Sequence, residues 1–293
     1  MLQGRLIRVR LARTPNREDT DNMSDQSVEV RKLTPLIGAE IFGVDIAKGL
    51  SNSQVEAVHQ ALLDNLVIFF RDQELTLDQH KEFGRHFGKL HIHPQPSIPV
   101  EGHPDVIAIR ADENSTRISG SEWHSDVTCD AEPPMGSILH LQEVPENGGG
   151  DTLFANMYAA YEGLSESMRD FVGGLTAIHD GEHYRPRTND ASRSFPRSEH
   201  PVVRTHPETG RKALFVNRIF TSKIVQLSKD ESDGVLELLY RHMEKPAWQC
   251  RFKWERNSIA FWDNRCVLHH AMWDYFPQRR YGYRVTVCGD TPH

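Results

Sequence analysis

The apolar residues of this chain come in short runs cut by glycine, proline and polar turns, a pattern that restricts it to many brief strands with a few helices. Ala39-Glu40-Ile41-Phe42 lies between Gly38 and Gly43, and Leu66-Val67-Ile68-Phe69-Phe70 is a continuous apolar run that stops at Arg71-Asp72-Gln73. The second run reads as a strand buried on both faces. Further strand-like runs lie at residues 106–109, 137–141, 152–154, 201–204, 213–216, 249–254, 258–262 and 283–288. Three capping boxes, Ser51 with Gln54, Thr76 with Gln79 and Ser228 with Glu231, announce helices. Two more helices are expected, one at residues 157–164 and one placing Met168, Phe171, Val172 and Leu175 on a single face. The result is a mostly β fold with helices, an all-β core flanked by α-helices.

A net charge of -7 and a pI near 6.1 exclude a sequence-independent phosphate-binding surface, so nucleic acid is not an expected partner. Four cysteines, Cys129, Cys250, Cys266 and Cys288, occur without a C-x-x-C pair. They suggest neither a disulfide framework nor a zinc knuckle and fit a reducing cytoplasm. No apolar run is long enough to span a membrane. Residues 1–23 carry Arg5, Arg8, Arg10, Arg13 and Arg17 ahead of the first acid, Glu18. They superficially resemble a transit peptide. The expectation is instead a disordered extension or a start assigned ahead of Met23, with residues 24–293 forming one domain. Two polar segments, residues 90–121 and 181–198, read as loops near the mouth of a site.

Trp123-His124-Ser125-Asp126 carries the chemistry. An imidazole and a carboxylate two positions apart share one side of an extended strand, so one cation can touch both. A third ligand from a distant segment, such as His269, would complete a 2-His-1-carboxylate triad, the usual setting of a non-haem Fe(II) oxygenase. A jelly-roll barrel would bring the two segments together. An H-x-D triplet is common in itself, and sixteen histidines make a further one unremarkable as a clue. The neighbourhood of His269 adds weight: Arg280 and Arg284 share a face on a strand, and a guanidinium near a metal suits a carboxylate.

Gly149-Gly150-Asp151-Thr152, Trp123-His124-Ser125-Asp126 and the segment from Trp262-Asp263-Asn264-Arg265 through His269 to Pro277-Gln278-Arg279-Arg280 resemble the motifs of the taurine dioxygenase (TauD/TfdA) family. The resemblance covers residues 33–292. It implies a double-stranded β-helix (jelly-roll) core flanked by α-helices, Fe(II) held by His124, Asp126 and His269, and 2-oxoglutarate and O2 as cosubstrates. It further implies that Thr152 and Arg280 hold the distal carboxylate of 2-oxoglutarate, and that His93, Arg284 and Val127 contact the substrate. His270, one position past the ligand, is expected to point to the opposite face with a supporting role. The family hydroxylates a small substrate while 2-oxoglutarate becomes succinate and CO2, and its members commonly form dimers or tetramers.

The residues that grip taurine's amine in the family correspond here to Gly120 and Pro96, neither of which can supply that hydrogen bond. Aromatics of the taurine pocket correspond to Cys129 and Gly181, so a wider pocket is expected. The expectation is an anionic organic substrate without an amine: an alkyl or aryl sulfonate, a sulfate ester or an aryloxyalkanoate. Three alternatives stand beside it. They are taurine dioxygenation proper, a zinc hydrolase, since the same ligand set also binds zinc, and a non-catalytic cupin-like binding module.

Overall fold

The computed structural model describes residues 27–93, 98–182, 184 and 192–293. The expected extension at residues 1–23 and the position of Pro96 lie outside the described residues. In chain order the elements are β1 (Glu29–Lys32), β2 (Ala39–Phe42), α1 (Asn52–Asn65), β3 (Val67–Phe70), α2 (Leu77–Arg85), β4 (Pro99–Val100), β5 (His103–Ala111), β6 (Gly136–Glu143) and β7 (Thr152–Asn156). There follow α3 (Met157–Glu162), α4 (Glu166–Val172), β8 (Thr176–Asp180), β9 (Arg197–Pro201), β10 (Val203–Thr205), β11 (Lys212–Leu214), β12 (Thr221–Ile224), α5 (Lys229–Met243), β13 (Gln249–Phe252), β14 (Ser258–Asp263), β15 (Val267–Ala271) and β16 (Arg280–Val287).

One sheet runs in the order β1-β2-β3-β14-β6-β16-β5-β4, and a smaller one runs β13-β7-β15. Strands far apart in sequence become neighbours, as when β14 pairs with both β3 and β6 and β16 pairs with both β5 and β6. This two-sheet arrangement is the jelly-roll core. Three-stranded β12-β8-β9 and the β10-β11 hairpin form separate small sheets.

The buried side chains sort by strand alternation. Phe69 joins one cluster with Phe154, Phe252, Trp262 and Leu268, while its neighbours Ile68 and Phe70 join another with Leu62, Phe83, Ile138 and Phe261. Strand β3 is therefore covered on both faces, as its unbroken apolar sequence requires. Phe69 stacks on Phe252 at a centroid distance of 3.9 Å, which ties the large sheet to β13 of the small one. Truncating such a ring to alanine typically costs about 3–5 kcal/mol.

All three capping boxes form. Ser51, Thr76 and Ser228 each accept from the backbone of the third helical residue, whose side chain returns a bond to the cap, at the starts of α1, α2 and α5. Other expectations change. Residues 90–121 hold β4 and a nine-residue β5 rather than one short strand in a long loop. Helix α4 ends at Val172, and Phe171 is 44% exposed, so it does not share the buried face of Val172. Strands β8 and β12 carry polar residues at nearly every outward position and show no apolar run to announce them. Among the described residues, no helix is long and apolar enough to cross a membrane.

Candidate active site

Strand β15 positions the site. His269 on β15 and His124 form an isolated antiparallel bridge, with His124 N–H donating to His269 O at 3.0 Å and His269 N–H donating to His124 O at 2.8 Å. Residues exchanging both bonds present their side chains on the same face. The two imidazole centroids lie 4.1 Å apart. His124 is thus on a one-residue bridge, and the chain turns at once, so Asp126 stands in a turn and not on the extended strand that the H-x-D spacing suggests. The turn still brings its carboxylate inward: Oδ1 is 3.7 Å from His124 Nε2, and Oδ2 is 4.0 Å from His269 Nε2.

These three residues, all buried, hold one donor atom each within 4.8 Å of one another. His124 Nδ1 lies 2.8 Å from Glu122 O, so that nitrogen carries the proton and Nε2 faces the site with its lone pair. Burial lowers the pKa of His124, and burial together with the adjacent His124 ring holds His269 well below the usual imidazole range. Both rings are neutral donors. Burial alone would raise the Asp126 carboxyl, but Arg284, His269, His124 and the Ser137 hydroxyl outweigh it and hold it far below the usual carboxylate range. Two neutral imidazoles and one carboxylate, with space between them, fit a divalent cation that keeps open positions.

A second cluster, His206, Asp263 and Cys266, has similar spacing but different chemistry. His206 Nδ1 accepts from the backbone N–H of Glu208 and Thr209, so Nε2 must donate to Asp263 Oδ2 at 3.0 Å. Asp263 is also paired with Arg265 at 2.7 Å, and burial pushes the Cys266 thiol well above its usual range. Both imidazole nitrogens are engaged and the thiol stays protonated, so the cluster offers no ready ligand set and braces the chain.

His270 follows His269 on β15, and strand alternation turns it away from the triad. It is half-buried with its ring 5.5 Å from that of Trp123.

Arg280 and Arg284 lie on β16 facing Ala111 and Ile107 of β5. Arg280 is 4% exposed, and its Nε and Nη2 have no hydrogen-bond partner. Burial lowers its pKa, against weaker pulls from Tyr275 and Asp151. Its guanidinium carbon sits 5.5 Å from the centre of the Trp254 ring, and the Trp254 indole N–H donates to Thr152 Oγ1 at 2.9 Å. Arg280 and Thr152 therefore meet at one indole, in the place where a buried carboxylate would satisfy the orphaned donors. The glycine turn before Thr152 has a steric reason. Gly150 has φ +81°, and a β-carbon there would lie 3.1 Å from Arg280 Cδ.

Arg284 donates from Nη1 to Asp126 Oδ1 at 2.6 Å, while its Nε is buried without a partner. With His93, His124, Asp126 and Val127 it lines a cavity of about 50 Å³ whose other walls include Ile107, Ile109 and Phe220. The cavity beside Arg280 shares Ile109 and Ser119 with it, so the two spaces adjoin. His93 Nε2 is 3.5 Å from the hydroxyl of Tyr184. Of the eight residues singled out from the sequence, His93, His124, Asp126, Val127, Arg284 and Arg280 line these two adjoining spaces, while His269 meets His124 and Asp126 and Thr152 meets Trp254.

The room expected at Gly181 is filled among the described residues. A β-carbon on Gly181 would meet Phe195 Cβ and Pro196 O at 2.9 Å and Cys129 Sγ at 3.4 Å, and Cys129 is itself fully buried. Phe195 and Tyr184 pack where smaller residues had suggested room. Gly120 sits in a tight fit beside His124. Gly120 has φ +81°, and a β-carbon there would stand 3.0 Å from His124 Cε1.

Three further residues were given no site role by the sequence reading. Trp254 joins Thr152 to Arg280, Ser137 donates to Asp126 Oδ2 at 2.7 Å, and Asn264 reaches both Ser137 and the Asp126 backbone. Asn264 was visible within the Trp262-Asp263-Asn264 motif. Ser137 carried no signal, because a serine in an apolar strand is ordinary.

Comparison with known proteins shows the family. The profile of the "Taurine catabolism dioxygenase TauD, TfdA family" matches residues 29–286. An "Alpha-ketoglutarate-dependent sulfonate dioxygenase" of Saccharomyces cerevisiae is 36% identical, across 90% of this chain and 68% of that protein. An "Alkylsulfatase" of Acinetobacter baylyi is 35% identical, across 90% of this chain and 86% of that protein. The crystal structure of a taurine dioxygenase from Burkholderia xenovorans superposes with a TM-score of 0.81 at 40% identity, covering 91% of each chain. With a family profile spanning nearly all of its described residues, this chain belongs to the TauD/TfdA family of α-ketoglutarate-dependent dioxygenases.

Proposed function

We propose that this dioxygenase hydroxylates a small anionic organic substrate that has no amine, an alkyl or aryl sulfonate, a sulfate ester or an aryloxyalkanoate, with release of succinate and CO2. The observation that carries the reading is Arg284. Beyond its bond to Asp126, this half-buried guanidinium keeps a buried Nε without a partner at a cavity whose walls include the apolar Ile107, Ile109, Val127 and Phe220. A charged donor left over after the bond to Asp126 calls for a further anionic acceptor, and apolar walls suit a carbon chain or ring.

In this reading His124, Asp126 and His269 hold Fe(II), which with 2-oxoglutarate and O2 supplies the oxidising power for C–H cleavage. Arg280 and Thr152 hold the distal carboxylate of the cosubstrate, with the Trp254 indole joining the two. Arg284 and His93 hold the anionic head of the substrate, and Val127 borders its reacting carbon. The apolar wall excludes water from the reacting centre. When the hydroxylated carbon bears the heteroatom, the product collapses to an aldehyde or ketone and expels sulfite, sulfate or a phenol. The free state of all four cysteines favours a reducing, cytoplasmic setting. Assembly as a dimer or tetramer is part of the same proposal, and light scattering reads it.

Succinate release measured with hexyl sulfate, hexanesulfonate, phenoxyacetate and taurine tests the assignment. One of the first three is expected to be the best substrate. Taurine as the best substrate would overturn the amine-free reading.

A further inference from the structure

We infer that Asn264, acting through Ser137, is a positioning residue that sets the orientation of the Asp126 carboxylate; this rests on the reading of His124, Asp126 and His269 as metal ligands. Asn264 directly follows β14 and is 2% exposed. Its Oδ1 accepts from the Trp262 indole N–H at 2.9 Å and from the backbone N–H of Asp126 at 3.3 Å. Both partners can only donate, so the oxygen must occupy that end and the NH2 group the other. The amide nitrogen then donates to Ser137 Oγ at 3.0 Å. Ser137, having accepted that bond, turns its own proton to Asp126 Oδ2, 2.7 Å away. One side chain thus fixes the aspartate at its backbone and, through a hydroxyl, at its carboxylate.

The turn needs such a hold. Val127, the next residue, has φ +50°, a left-handed conformation that a β-branched side chain adopts at a cost. Ser125 Oγ donates to the backbone oxygen of Asn264 at 2.7 Å, and Asn264 N–H donates to Met135 O at 2.8 Å, so the turn is tied to the same point from both sides. With Ser137 on Oδ2 and Arg284 on Oδ1, the plane of the carboxylate is set. In that plane Oδ1 lies 3.7 Å from His124 Nε2 and Oδ2 lies 4.0 Å from His269 Nε2. Partners that orient a ligand in this way commonly matter about 10–100-fold in metal affinity.

The competing view is that Asn264 is a satisfied core amide that stabilises the fold and nothing more. Co(II) titration of the metal-free protein, followed by calorimetry and visible absorption, separates the two. Ser137→Ala deletes the hydroxyl, whereas Asn264→Asp keeps the shape but removes the donor, so Ser137 turns to the new carboxylate and releases Asp126. Each variant is expected to raise the Co(II) Kd about tenfold or more and to change the ligand-field spectrum. The double variant is expected to be no worse than the more damaging single one, because both changes cut one relay. Should Asn264→Asp fail to fold, Ser137→Ala decides alone. A Co(II) Kd within about twofold of wild type in Ser137→Ala, well below the usual effect of such a partner, or losses that multiply in the double variant, would overturn the inference. Wild-type protein that binds no Co(II) would instead overturn the metal-site reading beneath it.

Discussion

Arg284 on β16 donates from Nη1 to Oδ1 of Asp126 at 2.6 Å, so the residue that would hold the substrate's anionic head is bonded directly to a candidate metal ligand. The substrate site and the metal site are therefore adjacent by construction, and the head group is fixed relative to the oxidising centre. Arg284→Ala removes a charge-assisted contact of about 1.5–3 kcal/mol, so the KM for the organic substrate is expected to rise about 10–100-fold. The KM for 2-oxoglutarate should change little. Steady-state kinetics in both substrates checks this, and the reverse pattern would mean that the roles of Arg280 and Arg284 are exchanged.

Arg280 is expected to show the opposite split, together with an effect on stability. Its Nε and Nη2 are buried without partners, and leaving such groups unsatisfied costs about 1–3 kcal/mol apiece. Arg280→Met removes that cost while keeping much of the packing against Trp254. The metal-free variant should melt at or above the wild-type temperature yet lose most of its affinity for 2-oxoglutarate. Calorimetric melting and 2-oxoglutarate titration read the two halves separately.

How much of this was legible in the sequence varies with the physics involved. Capping boxes are local, and Ser51, Thr76 and Ser228 begin helices as read. Strand β3 announced its two-sided burial through five successive apolar residues. The H-x-D pair was legible as a ligand pair, but its local conformation was not, because the turn at Asp126 depends on Asn264 from a distant strand end. Pocket width was misread at Gly181 for a related reason. Which neighbour fills the space left by a small residue is a tertiary matter, and here Phe195 fills it.

The histidines away from the site make stability depend on pH. Burial and the neighbouring His140 push His80 down to about 3, and burial with His200 pushes His179 down to about 3. Both titrate near 6.5 when unfolded, so between those values the unfolded chain binds the extra proton. Their contribution is complete above about pH 6.5 and is lost as pH falls toward about 3, at about 1.4 kcal/mol per pH unit for each ring. The melting temperature is expected to decline steadily as the pH is lowered below about 6.5. A melting temperature flat across that window would contradict the buried neutral state of these rings.

Gly120 limits what substitution can achieve. Its φ of +81° and the 3.0 Å approach of a β-carbon to His124 Cε1 mean that any side chain strains the backbone and pushes on the ligand ring. Gly120→Asn is therefore expected to weaken Co(II) binding and to gain no taurine turnover, although it restores an amide where the family's taurine enzymes grip the amine. Taurine-dependent succinate release in this variant would show that the pocket accommodates the amine after all.

The most direct test of the metal and cosubstrate sites is anaerobic absorption spectroscopy of the protein titrated first with Fe(II) and then with 2-oxoglutarate. A weak visible charge-transfer band should appear only when both are present, be lost in Asp126→Ala and His269→Ala, and require far more 2-oxoglutarate in Arg280→Met. A wild-type protein that gives no band, or a band that survives Asp126→Ala and His269→Ala unchanged, would contradict the assignment of His124, Asp126 and His269 as the iron site.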